Sequence, residues 1–119
     1  MSAGRDMTHE GVYLRFFMHA NARHGGMLLH EWILEQAKRE GLAGGSVFRA
    51  IAGFGRHGVL HEEHFFELAG DLPVKVEFIL PAPQAERLIG IVRASGAALV
   101  YARSPTTYGV IEPTPGRNP

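Results

Sequence analysis

The sequence predicts a two-layer α+β domain in the order β-α-β-β-α-β, and three observations carry that prediction. Residues 12–19 and 74–80 alternate apolar and polar side chains with a period of two. Residues 27–40 and 84–95 instead carry apolar stripes at helical spacing. Two shorter β-type runs, 46–52 and 97–103, occupy the remaining places. This order is the ferredoxin-like arrangement, with a four-stranded antiparallel sheet and two helices on one face.

Each element follows from its residues. In the first strand Val12, Leu14, Phe16 and Met18 share one side, and Tyr13, Arg15, Phe17 and His19 the other. Small and polar residues at 21–26 break the pattern. In the first helix Leu28, Leu29, Trp32, Ile33 and Ala37 form the stripe, Glu35 and Arg39 sit four apart in the favourable order, and Gly41 is a C′ stop. In the third strand Val74, Val76, Phe78 and Leu80 alternate with Lys75, Glu77 and Ile79. Pro81 and Pro83 end that strand and prepare the second helix. Leu88, Ile91, Val92 and Ser95 lie on one side of this helix, and Gly96 stops it.

The 119 residues fit one domain, and 45% hydrophobic content is ordinary for a globular chain. The expected division is a flexible lead over 1–11, the folded domain over 12–103 and a Pro-rich tail over 104–119. Lysine plus arginine equals aspartate plus glutamate, 12 of each. A zero formal charge gives no general attraction for nucleic acid or anionic membrane, so no nucleic-acid partner is expected. The absence of cysteine excludes disulfides and thiolate metal sites and fits the cytoplasm. No run reaches the roughly 18 apolar residues of a membrane helix, and residues 1–11 lack the apolar core of a signal peptide.

The second and third strands are joined by about twenty residues in place of a tight turn, and long connections of this kind are commonly functional or disordered. The connection opens with Gly53-Phe54-Gly55-Arg56-His57-Gly58 and closes with Asp71-Leu72-Pro73. Glycine at 53 and 55 would permit close backbone approach and positive φ beside a phosphate, and Arg56 would add charge-assisted bonds. Read from residues alone, a flexible strand exit with a solvated arginine is the plainer account of this stretch. No Gly-Lys-Ser/Thr follows, so it is not a Walker loop. Arg23 and His24 precede the first helix, whose free N–H groups attract anions; an ordinary polar loop is the plainer reading.

Histidine is abundant, with seven residues. His57, His61 and His64 have spacings of four and three and could share a helix face, where neutral imidazoles can bind a divalent metal. Solvated loop histidines are the plainer account, because no His-Glu-x-x-His is present. No catalytic constellation emerges, so the chain is not expected to be an enzyme. The basic-aromatic signature of an RNA-binding sheet is also missing.

Gly53-Phe54-Gly55-Arg56, a variable loop, and then Leu72-Pro73-Val74-Lys75-Val76-Glu77 resemble the effector loop and following strand of PII signalling proteins. Leu14-Arg15, Arg23-His24-Gly25, Gly41-Leu42-Ala43-Gly44 and Arg49-Ala50-Ile51-Ala52-Gly53-Phe54-Gly55 together resemble the PII-like domain of unknown function 190 over roughly residues 12–103. The resemblance implies a cytoplasmic homotrimer with sheets packed around the threefold axis. It implies an effector, an adenine nucleotide, in intersubunit clefts near Gly53–Arg56. It also implies signalling through the loop at 56–71 to a protein target such as a membrane transporter or an enzyme. PII proteins carry a second Gly-rich loop with Gly-Lys, and this chain has Ser95-Gly96-Ala97-Ala98 there, which points to a nucleotide less charged than a triphosphate. In the assembly so implied, Glu77 is expected to pair with a basic residue of a neighbour. The alternatives are a metal-responsive protein resembling the copper-tolerance protein CutA, and a trimeric scaffold without a ligand.

Overall fold

The computed structural model describes residues 7–53 and 72–113. Its elements are β1 (Met7–His19), β2 (Arg23–His24), β3 (Met27–Leu28), α1 (Leu29–Arg39), β4 (Ser46–Arg49), β5 (Pro73–Leu80), α2 (Ala82–Ala94) and β6 (Val100–Val110). The main sheet has the order β4-β5-β1-β6, and every pairing in it is antiparallel. The ferredoxin-like order is therefore present, with a short β2–β3 hairpin added between β1 and α1.

The core lies between the sheet and the two helices. Val12, Leu14, Phe16 and Met18 from β1 meet Val74, Val76, Phe78 and Leu80 from β5, all buried. Leu29, Ile33 and Ala37 close it from α1, and Ala85, Leu88, Ile89 and Val92 from α2. Each fully buried Leu, Ile, Val or Phe contributes about 1.5–3 kcal/mol relative to exposure. The α2 stripe runs i, i+3, i+4, i+7 from Ala85, so Ile89 belongs to it and Ile91 lies at its margin. Phe16 and Phe78 meet edge to face with centroids 6.3 Å apart. Gly45 passes directly over Phe78: a Cβ there would stand 2.3 Å from the ring.

Helix ends obey local chemistry. Gly41 and Gly96 take positive φ, 77° and 81°, just past α1 and α2. The Ser95 hydroxyl donates to the Val92 carbonyl and accepts from the Ala97 N–H, at 2.6 and 3.1 Å. Glu35 and Arg39 form the expected ion pair at 3.8 Å. Pro83 sits in the first turn of α2, where its missing N–H costs nothing.

Against expectation, residues 27–28 are strand and α1 starts at Leu29, β4 stops at Arg49 and β6 starts at Val100; the largest differences lie at the outer ends of β1 and β6. Residues 7–11 are strand, not lead, and 104–110 are strand, not tail, because each supplies the other's ladder: Met7 faces Val110 and Gly11 faces Thr106. Pro105 is tolerated because β6 is an edge strand, with no neighbour awaiting an N–H. A Cβ on Gly11 would lie 2.6 Å from the Leu80 carbonyl oxygen and 2.7 Å from Tyr108 Cε1. The Tyr108 ring thus lies across a residue that has to be glycine.

Candidate functional site

Topology gathers three of the singled-out segments at one end of the sheet. There β1 ends, β5 begins, β4 ends and β6 begins, as the pairs His19–Pro73, Arg49–Val74 and Phe17–Val100 show. The β2–β3 hairpin and the N-terminus of α1 follow directly from β1, and the α2–β6 turn leads into β6. Both stems of the long connection are pinned at this end. The Ala50 N–H donates to the Pro73 carbonyl, and the Ala20 N–H to the Leu72 carbonyl, each at 2.9 Å.

The hairpin is a two-residue turn with Gly25 and Gly26 both at positive φ, 61° and 83°, the requirement of a type I′ turn. Arg23 donates to the Gly26 carbonyl at 3.0 Å, which commits one of its five donors to the turn. The His24 ring packs against Trp32 of α1, with centroids 4.4 Å apart. The N-cap of α1 is Leu28, without a side-chain cap bond. The Leu29 N–H bonds the Ala22 carbonyl, and the next amides have no side-chain cap. Gly53 does not take the left-handed backbone expected of it, and a Cβ there would meet Pro73 at an ordinary 3.4 Å. Phe54, Gly55, Arg56, His57, His61 and His64 lie outside the described residues. Among the described residues, no three of His, Asp and Glu gather as a metal site. In the turn Ser95–Ala98 the serine hydroxyl is spent on the local backbone, so what stands in place of a Gly-Lys loop is a helix stop.

The helix-free face of the sheet is the second feature. Pairing puts Tyr13, Arg15 and Phe17 of β1 beside Lys75, Glu77 and Ile79 of β5, with Ser46 and Phe48 of β4 and Val100, Ala102 and Ser104 of β6 on the flanks. Arg49 falls on the opposite side; β4 is too short for its sequence to reveal which residues face out. Tyr13 donates its phenol proton to the Glu77 carboxylate. Lys75 Nζ lies 3.7 Å from the same carboxylate and 5.2 Å from the Phe48 ring centroid. The Arg15 guanidinium lies 4.2 Å from the Tyr13 ring centroid and donates to Ser104 Oγ at 3.2 Å. The bond to Glu77, then burial and the Glu77 charge, raise the Tyr13 pKa above its ordinary value, against a lowering by Arg15. Glu77 therefore has partners within its own chain, where sequence reasoning had looked to a neighbour. The Tyr13 and Phe48 contacts had no sequence signal beyond strand parity. Around this polar centre Phe17, Phe48, Ile79 and Val100 remain exposed.

These features define an α+β chain with a PII-like fold. Its fold matches that of CPII, a nitrogen regulatory PII-like protein from Thiomonas intermedia K12, in a structure bound to ADP, AMP and bicarbonate. The TM-score is 0.65 at 15% identity, covering 87% of this chain and 92% of that one. The apo form of CPII matches with a TM-score of 0.59 at 12% identity, over 89% and 99% of the two chains.

The chain belongs to the family of domain of unknown function 190 (DUF190, "Uncharacterized ACR"), whose model matches residues 11–101. A UPF0166 protein of Aquifex aeolicus is 33% identical over 87 residues, 73% of this chain and 83% of the relative. A UPF0166 protein of Methanocaldococcus jannaschii is 33% identical over 66 residues, 56% and 60% of the two.

Proposed function

We propose that this chain is a non-enzymatic, cytoplasmic PII-like regulator that binds an adenine nucleotide in clefts between the subunits of a homotrimer. The observation that carries the reading is the fold it shares with CPII, whose structure holds ADP and AMP. The gathering of the hairpin, the uncapped start of α1 and both stems of the long connection at one end of the sheet supports it. Gly53, Phe54, Gly55 and Arg56 would border the nucleotide, with Arg23 and His24 near its phosphates. Binding would shift the populations of the segment 56–71, and so engage or release a protein target such as a membrane transporter or an enzyme, in proportion to the differential affinity of the two states. Among the described residues no helix is long and apolar enough to cross a membrane.

Thermal-shift titration with AMP, ADP, ATP and divalent metals tests this, since a ligand that binds only the native state raises the midpoint. AMP or ADP is expected to raise it more than ATP. Arg56→Ala is expected to weaken nucleotide binding by about 1.5–3 kcal/mol, the scale of a hydrogen bond to a charged group. No shift with any nucleotide contradicts the proposal. A shift with metal alone, lost on replacing His57, His61 and His64, supports the metal-responsive alternative.

A further inference from the structure

At the end of the sheet opposite the long connection, β1 and β6 continue without β5. The last β1–β5 pair is Val12–Leu80, and Pro81 then turns the chain into α2. Five further pairs, from Gly11–Thr106 to Met7–Val110, form a two-stranded ribbon. At about 3.3 Å per residue it reaches some 17 Å beyond the four-stranded part.

A two-stranded ribbon on its own is marginal in water and needs a surface to pack on. The ribbon's own residues are sorted for one. By strand parity Met7, His9, Tyr108 and Val110 continue the helix-free face, while Thr8, Glu10 and Thr107 lie on the other side, where Thr107 donates to Glu10 at 3.0 Å. Met7 is 69% and Val110 57% exposed. Tyr108 locks the root, lying across Gly11 and against His9 with ring centroids 5.4 Å apart. The chain's helices are on the opposite side and provide no cover.

We infer that this ribbon is an assembly arm whose Met7/His9/Tyr108/Val110 side packs on a second copy of the chain, extending the contact made by the helix-free sheet face. The inference rests on the trimer reading above and adds to it a contact that the sheet alone does not supply. Beside the stretch of β1 that pairs with β5, β4 is paired only from Ser46 to Arg49 and β6 from Val100 to Pro105, so the sheet face covers roughly 400 Å² in plan. A standard-size interface buries about 800 Å² of accessible surface on each partner. The ribbon adds roughly 160 Å² to the same face. The partner is a copy of this chain because the arm continues, without a change of parity, a surface carrying both charge signs and exposed Phe17, Phe48 and Ile79. The zero formal charge leaves no net repulsion between copies.

Sedimentation of the full chain over a concentration series tests the arm. The wild type is expected to sediment as three chains. Met7→Lys/Val110→Lys is expected to dissociate at concentrations about tenfold higher or more, because the contact would desolvate two ammonium groups. Thr8→Lys, on the other side of the ribbon, is expected to match the wild type. Unchanged association in the double variant, or equal loss in Thr8→Lys, overturns the arm and leaves the trimer standing. A wild type that sediments as one chain overturns the trimer reading and the arm with it. Should the double variant fail to fold, hydrogen exchange on the wild type decides. Protection at 7–11 and 106–110 equal to that at 12–19 supports the arm, and exchange there at the rate of a free ribbon overturns it.

Discussion

The two faces of the sheet are built from alternate residues of the same strands, yet they do different work. On the helix side Leu14, Phe16, Val76 and Phe78 are closed off from water by α1 and α2. On the other side Tyr13, Glu77, Lys75, Arg15 and Ser104 form a polar centre within a rim of exposed Phe17, Phe48, Ile79 and Val100. The first face is apolar and complete, so its residues serve stability. The second has Glu77 already partnered by Tyr13 and Lys75 and its apolar rim uncovered, which is the condition of a surface suited to covering by another surface. In an assembly through this face, the polar centre would contribute register more than affinity.

The sharpest way to break the contrast is to remove neighbouring rings of β1. Phe16→Ala is expected to cost about 3–5 kcal/mol in denaturant unfolding, as a truncation in a closed core does. Phe17→Ala, measured on dilute chain, is expected to cost a small part of that. Equal losses would mean that both faces belong to one core. Gly45→Ala comes next, at about 1–3 kcal/mol, because the added methyl overlaps the buried Phe78 ring. No loss of stability in that variant would show that the strand entrance can shift freely.

Smaller effects fall on the polar centre. Glu77→Lys removes the acceptor of Tyr13 and Lys75 and sets a third cation beside Arg15. A stability loss of about 1–2 kcal/mol is expected, the scale of a charged hydrogen bond discounted for partial solvation, with dissociation of any assembly seen by light scattering. An unaffected mass would remove this face from the interface. The smallest effect is on pH dependence. The Tyr13 pKa is raised in the folded chain, so its contribution is complete below the ordinary tyrosine pKa, near 10, and is lost as pH rises through the folded value. Tyr13→Phe should flatten the alkaline limb of the stability profile. An unchanged limb would show that the bond to Glu77 does not persist in solution.

The contrast also explains what could be read from sequence. Strand β1 and strand β5 were legible because one face is buried and parity is then strict. Gly41 and Gly96 were legible because a left-handed stop follows each apolar stripe. The β2–β3 hairpin was not, since two-residue strands have no periodicity, although Gly25-Gly26 is a turn signal that could have found it. The ribbon was missed for a different reason. Thr106, Thr107, Gly109 and Pro105 look like tail composition, and they become strand only through partners nearly a hundred residues away. Of the candidate site, Arg23, His24 and Gly53 are placed at one end of the sheet, while the glycine-arginine and histidine motifs lie outside the described residues.

The central proposal joins the uncovered face to the proposed ligand site: assembly through the sheet would build the nucleotide cleft. Calorimetric titration of ADP into the wild type and into Ile79→Arg tests it most directly, because Ile79 is 49% exposed on that face and remote from the core. The account predicts saturable binding by the wild type and none by Ile79→Arg once it sediments as a single chain. ADP binding of unchanged affinity by a monomeric Ile79→Arg chain would contradict it.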